Sequence, residues 1–96
     1  METVLYRNRI YRDRIVEAVQ YTRDNDREVY EWIPGKQFVG PAPDYAIEGL
    51  TVFTPEGRRR AVWGDWVYCD RDTDRFWTTC QDAFDDDYEP LTEVSV

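Results

Sequence analysis

Turn signals punctuate the second half of this chain so often that only short strands fit between them. Pro55-Glu56-Gly57, Gly64-Asp65 and Asp70 to Asp74 are built from the residues that reach tight-turn geometry most easily. Between them lie Gly49–Thr54, Arg58–Trp63, Trp66–Cys69 and Arg75–Thr79, rich in β-branched and aromatic side chains. Pieces of that kind joined by tight turns read as an antiparallel meander.

The first half adds one more strand and a helix. In Arg14 to Thr22 the residues Ile15, Glu17, Val19 and Tyr21 alternate with Val16, Ala18 and Gln20, the period of two expected of a strand. The segment Val4 to Tyr11 leads into it. Asp24-Asn25-Asp26 supplies N-cap candidates, and Val29, Trp32 and Ile33 at i, i+3 and i+4 make the apolar stripe of a short helix. Pro34-Gly35 stops that helix, and Gly40-Pro41-Ala42-Pro43 reads as a loop. Near the C-terminus Gln81 to Asp85 can form one helical turn, and Tyr88 to Leu91 a final short strand or extended tail. The expected class is α+β: one small domain over 1–96, its core about 6–91 and its tail 92–96. Its curled, mostly antiparallel sheet has about five to six strands and carries one short helix.

Composition supports a folded core and places the charge. Hydrophobic residues make up 42% of the chain and aromatic residues 16%, a payload that disordered chains of similar charge lack. No apolar run approaches the ~18 residues of a membrane span, and the start is neither basic nor apolar enough for a signal peptide. The expectation is a soluble protein with no membrane partner. Residues 1–60 carry ten acidic and ten basic side chains, whereas 61–96 carry ten acidic residues against only Arg71 and Arg75. The whole net charge of −8 therefore belongs to the last third. A hairpin can bring Cys69 and Cys80 together, but two reduced thiols packed as small hydrophobes is the favoured reading.

In order and spacing the motifs resemble a family of small tailed-phage proteins with no assigned activity. The likeness covers about residues 6–91. It begins with an aromatic-Arg segment from Tyr11 and the strand Glu17-Ala18-Val19-Gln20-Tyr21-Thr22. It continues through Glu56-Gly57, Gly64-Asp65-Trp66 and Cys80, and ends in Asp82, Phe84 and Tyr88-Glu89-Pro90. The chain departs from that family at Trp63, where a Pro is usual, and at Asp70 to Asp74, where a glycine-rich turn is usual. Gln81 stands alone where a Lys-Pro follows the cysteine. The resemblance implies a phage origin and a fold, and no reaction.

Catalysis has little to work with. There is no histidine, so the commonest general base and metal ligand is missing. Cys69 and Cys80 have no imidazole to activate them, and Ser95 is the lone serine. Asp70-x-Asp72-x-Asp74 resembles the start of a calcium loop, but Arg75 replaces its glycine and Gln81 its bidentate glutamate. Turn chemistry explains those aspartates better, and neither a metal nor a cofactor is expected.

The expectation is therefore a non-catalytic phage accessory protein that binds a protein: a host factor, a phage structural protein or a second copy. The anchors expected from the sequence are Trp63, Trp66, Tyr68 and Trp77, rimmed by Asp65, Asp70, Asp72 and Asp74. The host cytoplasm is the expected setting, with the virion as the alternative, where the protein would be a small structural component. A DNA mimic built on the acidic residues is a further alternative. Another is a nucleotide-sequestering pocket with Arg58, Arg59 and Arg60 on phosphate. Direct nucleic-acid binding is disfavoured, since a phosphate-binding face should be net positive.

Overall fold

The computed structural model describes residues 2–34, 38–41 and 50–91. The chain runs β1 (Val4–Asn8), β2 (Ile15–Gln20), α1 (Asp26–Trp32), β3 (Phe38–Pro41), β4 (Leu50–Thr54), β5 (Gly57–Ala61), β6 (Trp66–Asp70), β7 (Arg75–Thr79), α2 (Gln81–Asp87) and β8 (Tyr88–Pro90). The class is α+β and every strand pair is antiparallel.

Two features differ from the single curled sheet with one helix. The strands divide into a five-stranded sheet, ordered β7-β6-β2-β1-β8, and a three-stranded sheet, ordered β3-β4-β5. A second helix, α2, forms where only one turn was expected. The division happens at Gly64. Its amide donates to the Tyr21 carbonyl at 2.8 Å, and Tyr21 donates to the Asp65 carbonyl at 2.8 Å. The end of β2 thus captures the turn, so β6 pairs with β2 and not with β5. Gly64 sits at φ +103, a conformation that glycine reaches without steric cost.

Another correction concerns Gly40 and Pro41, which lie in β3 and pair with Thr51 and Leu50. A proline fits there because β3 is an edge strand with a register shift between Phe38 and Gly40. Ala42 and Pro43 of the expected loop, Gly35 of the expected helix stop and the tail 92–96 lie outside the described residues.

The five-stranded sheet is covered on both faces, so central β2 buries side chains from both of its alternating sets. Val16 and Ala18 face α2 and pack with Phe84 and Tyr88. Val19 and Tyr21 face the opposite side, packing with Val67, Cys69, Phe76, Val29 and Ile33 and with Leu50, Val52 and Ala61 of the small sheet. The period-of-two reading of β2 holds, but it marks two cores where a half-buried strand has one.

Each helix is short and held mainly by one buried residue, Val29 in α1 and Phe84 in α2. Neither is long enough to be stable alone. Asn25 precedes α1 without capping it. Its Oδ1 accepts the Thr22 amide at 2.8 Å and its Nδ2 donates to the Gln20 carbonyl at 2.8 Å, fastening the β2–α1 turn.

Phe84 is fully buried in a ring of aromatic neighbours, with Trp66 stacked on it at 4.7 Å between centroids and Tyr6, Tyr68 and Tyr88 between 4.9 and 5.5 Å. Truncating it to alanine is expected to cost about 3–5 kcal/mol. A urea titration checks this through the shift in midpoint.

Candidate interaction surface

The aromatics expected as surface anchors are largely spent inside the fold, and they do not share one face. Trp66 and Tyr68 lie on the α2 side of the sheet and pack around Phe84. Trp77 stacks on Tyr68 at 5.8 Å, because the two residues are register partners across β6 and β7. Arg14 covers Trp77 with its guanidinium 5.1 Å from the ring centroid. Trp63 packs against the opposite core, with Arg23 4.9 Å above its ring. The physical reason is the demand of a two-faced sheet, which needs large side chains on both sides.

The expected rim divides as well. The Asp65 Oδ2 accepts the Val62 amide at 3.0 Å, which makes Asp65 a turn residue at the junction of the two sheets. Asp70 and its neighbours follow the turn chemistry inferred from their spacing. Asp70 Oδ1 accepts the Asp72 amide at 2.9 Å, and the Asp70 carbonyl accepts the Asp74 amide at 2.8 Å. Asp74 takes φ +59 to close that turn. Asp72 and Asp74 are exposed, while Asp70 is half-buried with Arg14 3.8 Å away. Arg58, Arg59 and Arg60 are on β5, in the other sheet.

Strand register gathers a different set of residues. Arg7 pairs with Ile15, Val16 with Asp70, Asp70 with Arg75, and Asn8 with Tyr88. The β1–β2 turn, the β6–β7 turn and the last turn of α2 therefore emerge at one end of the five-stranded sheet. Ile10 and Tyr11 project there at 76% and 69% exposure, well beyond the other large apolar side chains among the described residues. Asp13, Arg71, Asp72, Asp74, Asp85, Asp86 and Asp87 are exposed around them. An open recess of about 370 Å³, lined by Asp13, Ile15, Arg71 and Asp72, separates the two turns.

The tip that carries Ile10 and Tyr11 is built, not loose. Asn8 Oδ1 accepts the amides of Ile10 at 2.9 Å and Tyr11 at 2.8 Å, the geometry of an Asx turn. The Asn8 amide donates to the Arg14 carbonyl at 3.0 Å, and the Arg14 amide to the Tyr11 carbonyl at 2.9 Å. Arg9 then ties the tip to α2. Its amide donates to the Asp87 carbonyl at 2.8 Å and its Nε to the Asp85 carbonyl at 3.0 Å. The last turn of α2 has no basic residue of its own, so Arg9 supplies the donors and positive charge that a helix C-terminus favours. Glu89 holds Arg9 at 3.3 Å and Arg12 at 3.5 Å. These exposed pairs add little energy, and the single Glu89 carboxylate offsets only part of the charge of the two arginines nearest the tip.

Ile10 and Tyr11 were not among the expected anchors. The signal available in the sequence was Asn8, a turn former two residues before an apolar pair between arginines.

The two cysteines are free, Cys69 buried and Cys80 exposed. Cys69 pairs with Phe76, while Cys80 lies one residue beyond the Trp66–Thr79 pair. That separates them by four positions along the hairpin, about 13 Å, whereas a disulfide requires Cα atoms within about 7 Å. Among the described residues no group of three His, Cys, Asp or Glu is placed to hold a metal ion. No helix there is long and apolar enough to cross a membrane. No protein-family model, curated protein or solved structure matches the chain.

Burial raises several protonation equilibria. The Tyr68 hydroxyl is held well above its ordinary 10.0, first by desolvation and then by the adjacent Tyr88 hydroxyl. Tyr21 is raised by desolvation and by its hydrogen bond to Asp26. The Cys69 thiol is pushed up to about 11 by burial, with Asp74, Glu17 and Asp70 adding repulsion. In each case the folded state holds its proton more tightly than the unfolded chain. Their contribution is thus complete below the unfolded values, 9.0 for the thiol and 10.0 for the phenols, and is lost as pH rises through the folded ones. Melting temperature is expected to hold to about pH 9 and to fall steeply above 10. Thermal melts of the wild type and Tyr68→Phe across that range check this, with the shallower fall expected in the variant. In native protein a thiol reagent should modify Cys80 at once and Cys69 only on unfolding.

Proposed function

We propose that this chain is a non-catalytic binding protein whose contact surface is the turn end of the five-stranded sheet. The observation that carries the reading is the pair Ile10 and Tyr11, exposed at 76% and 69% on a turn fixed by Asn8 and Arg9. Adjacent large apolar side chains held rigidly in water are costly to solvate and lose little entropy when a partner covers them. An aromatic anchor surrounded by charge is the common arrangement of a protein–protein hot spot. The acidic turns around it add a field that attracts and orients a complementary partner.

The motif order shared with small tailed-phage proteins supports placing this activity in a phage accessory protein that engages a host factor. The rim Asp72 and Asp74 carries over from the sequence reading. The anchors move from Trp63, Trp66, Tyr68 and Trp77 to Ile10 and Tyr11.

Immobilised full-length protein is the test, exposed to bacterial lysate with bound proteins identified by mass spectrometry. The variant Ile10→Ala/Tyr11→Ala should keep the wild-type melting curve within the ~0.5 kcal/mol typical of surface changes. It should lose the captured protein, while Val62→Ser, at another exposed apolar site, keeps it. Capture that survives the double substitution unchanged sinks this reading.

A further inference from the structure

We propose that β5 is a docking edge for an extended acidic segment of another protein, which adds to the three-stranded sheet as a fourth strand. β5 is the terminal strand of that sheet, paired on one side with β4 from Thr54–Gly57 to Leu50–Ala61. Among the described residues no second strand pairs with it, and the Arg58 carbonyl accepts Arg59 Nη1 at 3.0 Å, a side-chain contact that an added strand would displace. Gly57, Arg58, Arg59 and Arg60 are exposed, and only Ala61 is buried. A strand in this position presents a row of amides and carbonyls to solvent, which is the template for strand addition.

The remaining edges are less open. β7 packs mainly against β4 and to a smaller extent against β5, whose contact with it leaves the outer edge of β5 without a paired strand. β8 spans three residues and ends in Pro90, and β3 ends in Pro41 after a register shift. A proline cannot donate to an added strand. β5 is straight in register over all five residues and contains no proline. The turn before it is fixed, since Thr54 Oγ1 donates to the Gly57 carbonyl at 2.7 Å and accepts the Glu56 amide at 3.1 Å.

Charge selects the occupant. Arg58 and Arg60 project from one face of β5 and Arg59 from the other, with Arg58 lying 5.2 Å over the Phe53 ring. An incoming strand meets arginine on both faces. A second copy adding through the same edge would set arginine against arginine, which opposes pairing. An acidic strand places carboxylates on both arginine faces while its backbone completes the ladder. This surface uses none of the residues of the Ile10–Tyr11 tip, so either can fail without the other.

The test is a ¹⁵N NMR titration of the full chain with a short peptide repeating Glu-Glu-Thr-Thr, which sets carboxylates on both faces of an extended strand. Amide shifts are expected along Gly57–Ala61. N-methylation of the peptide's alternate residues, in the register whose amides face β5, should weaken binding about tenfold or more, because it removes main-chain donors. A Lys/Thr peptide should not bind the wild type, and Arg58→Glu/Arg60→Glu should exchange the preference. Four outcomes overturn the proposal: shifts that fall elsewhere, no binding, acidic binding indifferent to N-methylation in either register, or a single-stranded oligonucleotide binding β5 more tightly than the acidic peptide.

Discussion

Phe84 is the contact on which the five-stranded sheet depends. A seven-residue helix cannot sustain itself in water, and α2 presents one fully buried side chain. That ring touches β1 through Tyr6, β6 through Trp66 and Tyr68, and β8 through Tyr88. Each aromatic pair contributes about 0.5–1.5 kcal/mol beyond its buried area, so one residue couples three strands to the helix that covers them. Without it Val16 and Ala18 would face water, and the reason for β2 to sit at the centre would be lost on that side.

The same arrangement explains why the tip of the β1–β2 turn is fastened by hydrogen bonds on both sides. Covering the sheet with α2 brings the helix C-terminus beside Arg9, and unsatisfied carbonyls there need donors. Arg9 supplies them at Asp85 and Asp87, and doing so fixes the chain that carries Ile10 and Tyr11. The exposed pair is thus held by the same contacts that finish a helix. Binding through it would cost little ordering of the backbone, since the turn is already in place.

Much of the fold was legible in the sequence, and the failures share a cause. The alternation in Ile15–Tyr21, the stripe Val29, Trp32 and Ile33, and the turns at Gly57 and Asp70–Asp74 are local signals, and each produced the element it announced. What local signals could not carry was partnership. Gly64-Asp65 reads as a hairpin turn, but Tyr21, more than forty positions earlier, claims its backbone groups and sends β6 to β2. The partial burial of the expected anchors has the same origin. Trp66, Tyr68 and Trp77 look like interface residues while the sheet is assumed to be solvated on one side. They become core, or the edge of it, once α2 is recognised as a cover.

The acidic bias of the last third also changes meaning with the fold. As a list of residues it is one block of charge; in space it separates. Asp65 serves the junction between sheets, Asp70 lies near Arg14, and Glu89 lies between Arg9 and Arg12. Exposed among the described residues of that third are Asp82 at the start of α2, Asp72 and Asp74 on one turn, and Asp85, Asp86 and Asp87 on another, the last two groups at the Ile10–Tyr11 end. The arginines of β5 sit in the other sheet. A chain with a net charge of −8 thereby gathers exposed aspartates at one end of the large sheet and three exposed arginines on β5, and on the binding proposed above these would serve different partners. Partners complementary to one are repelled by the other, so the charge that looked like a solubility device can also set which partner meets which surface.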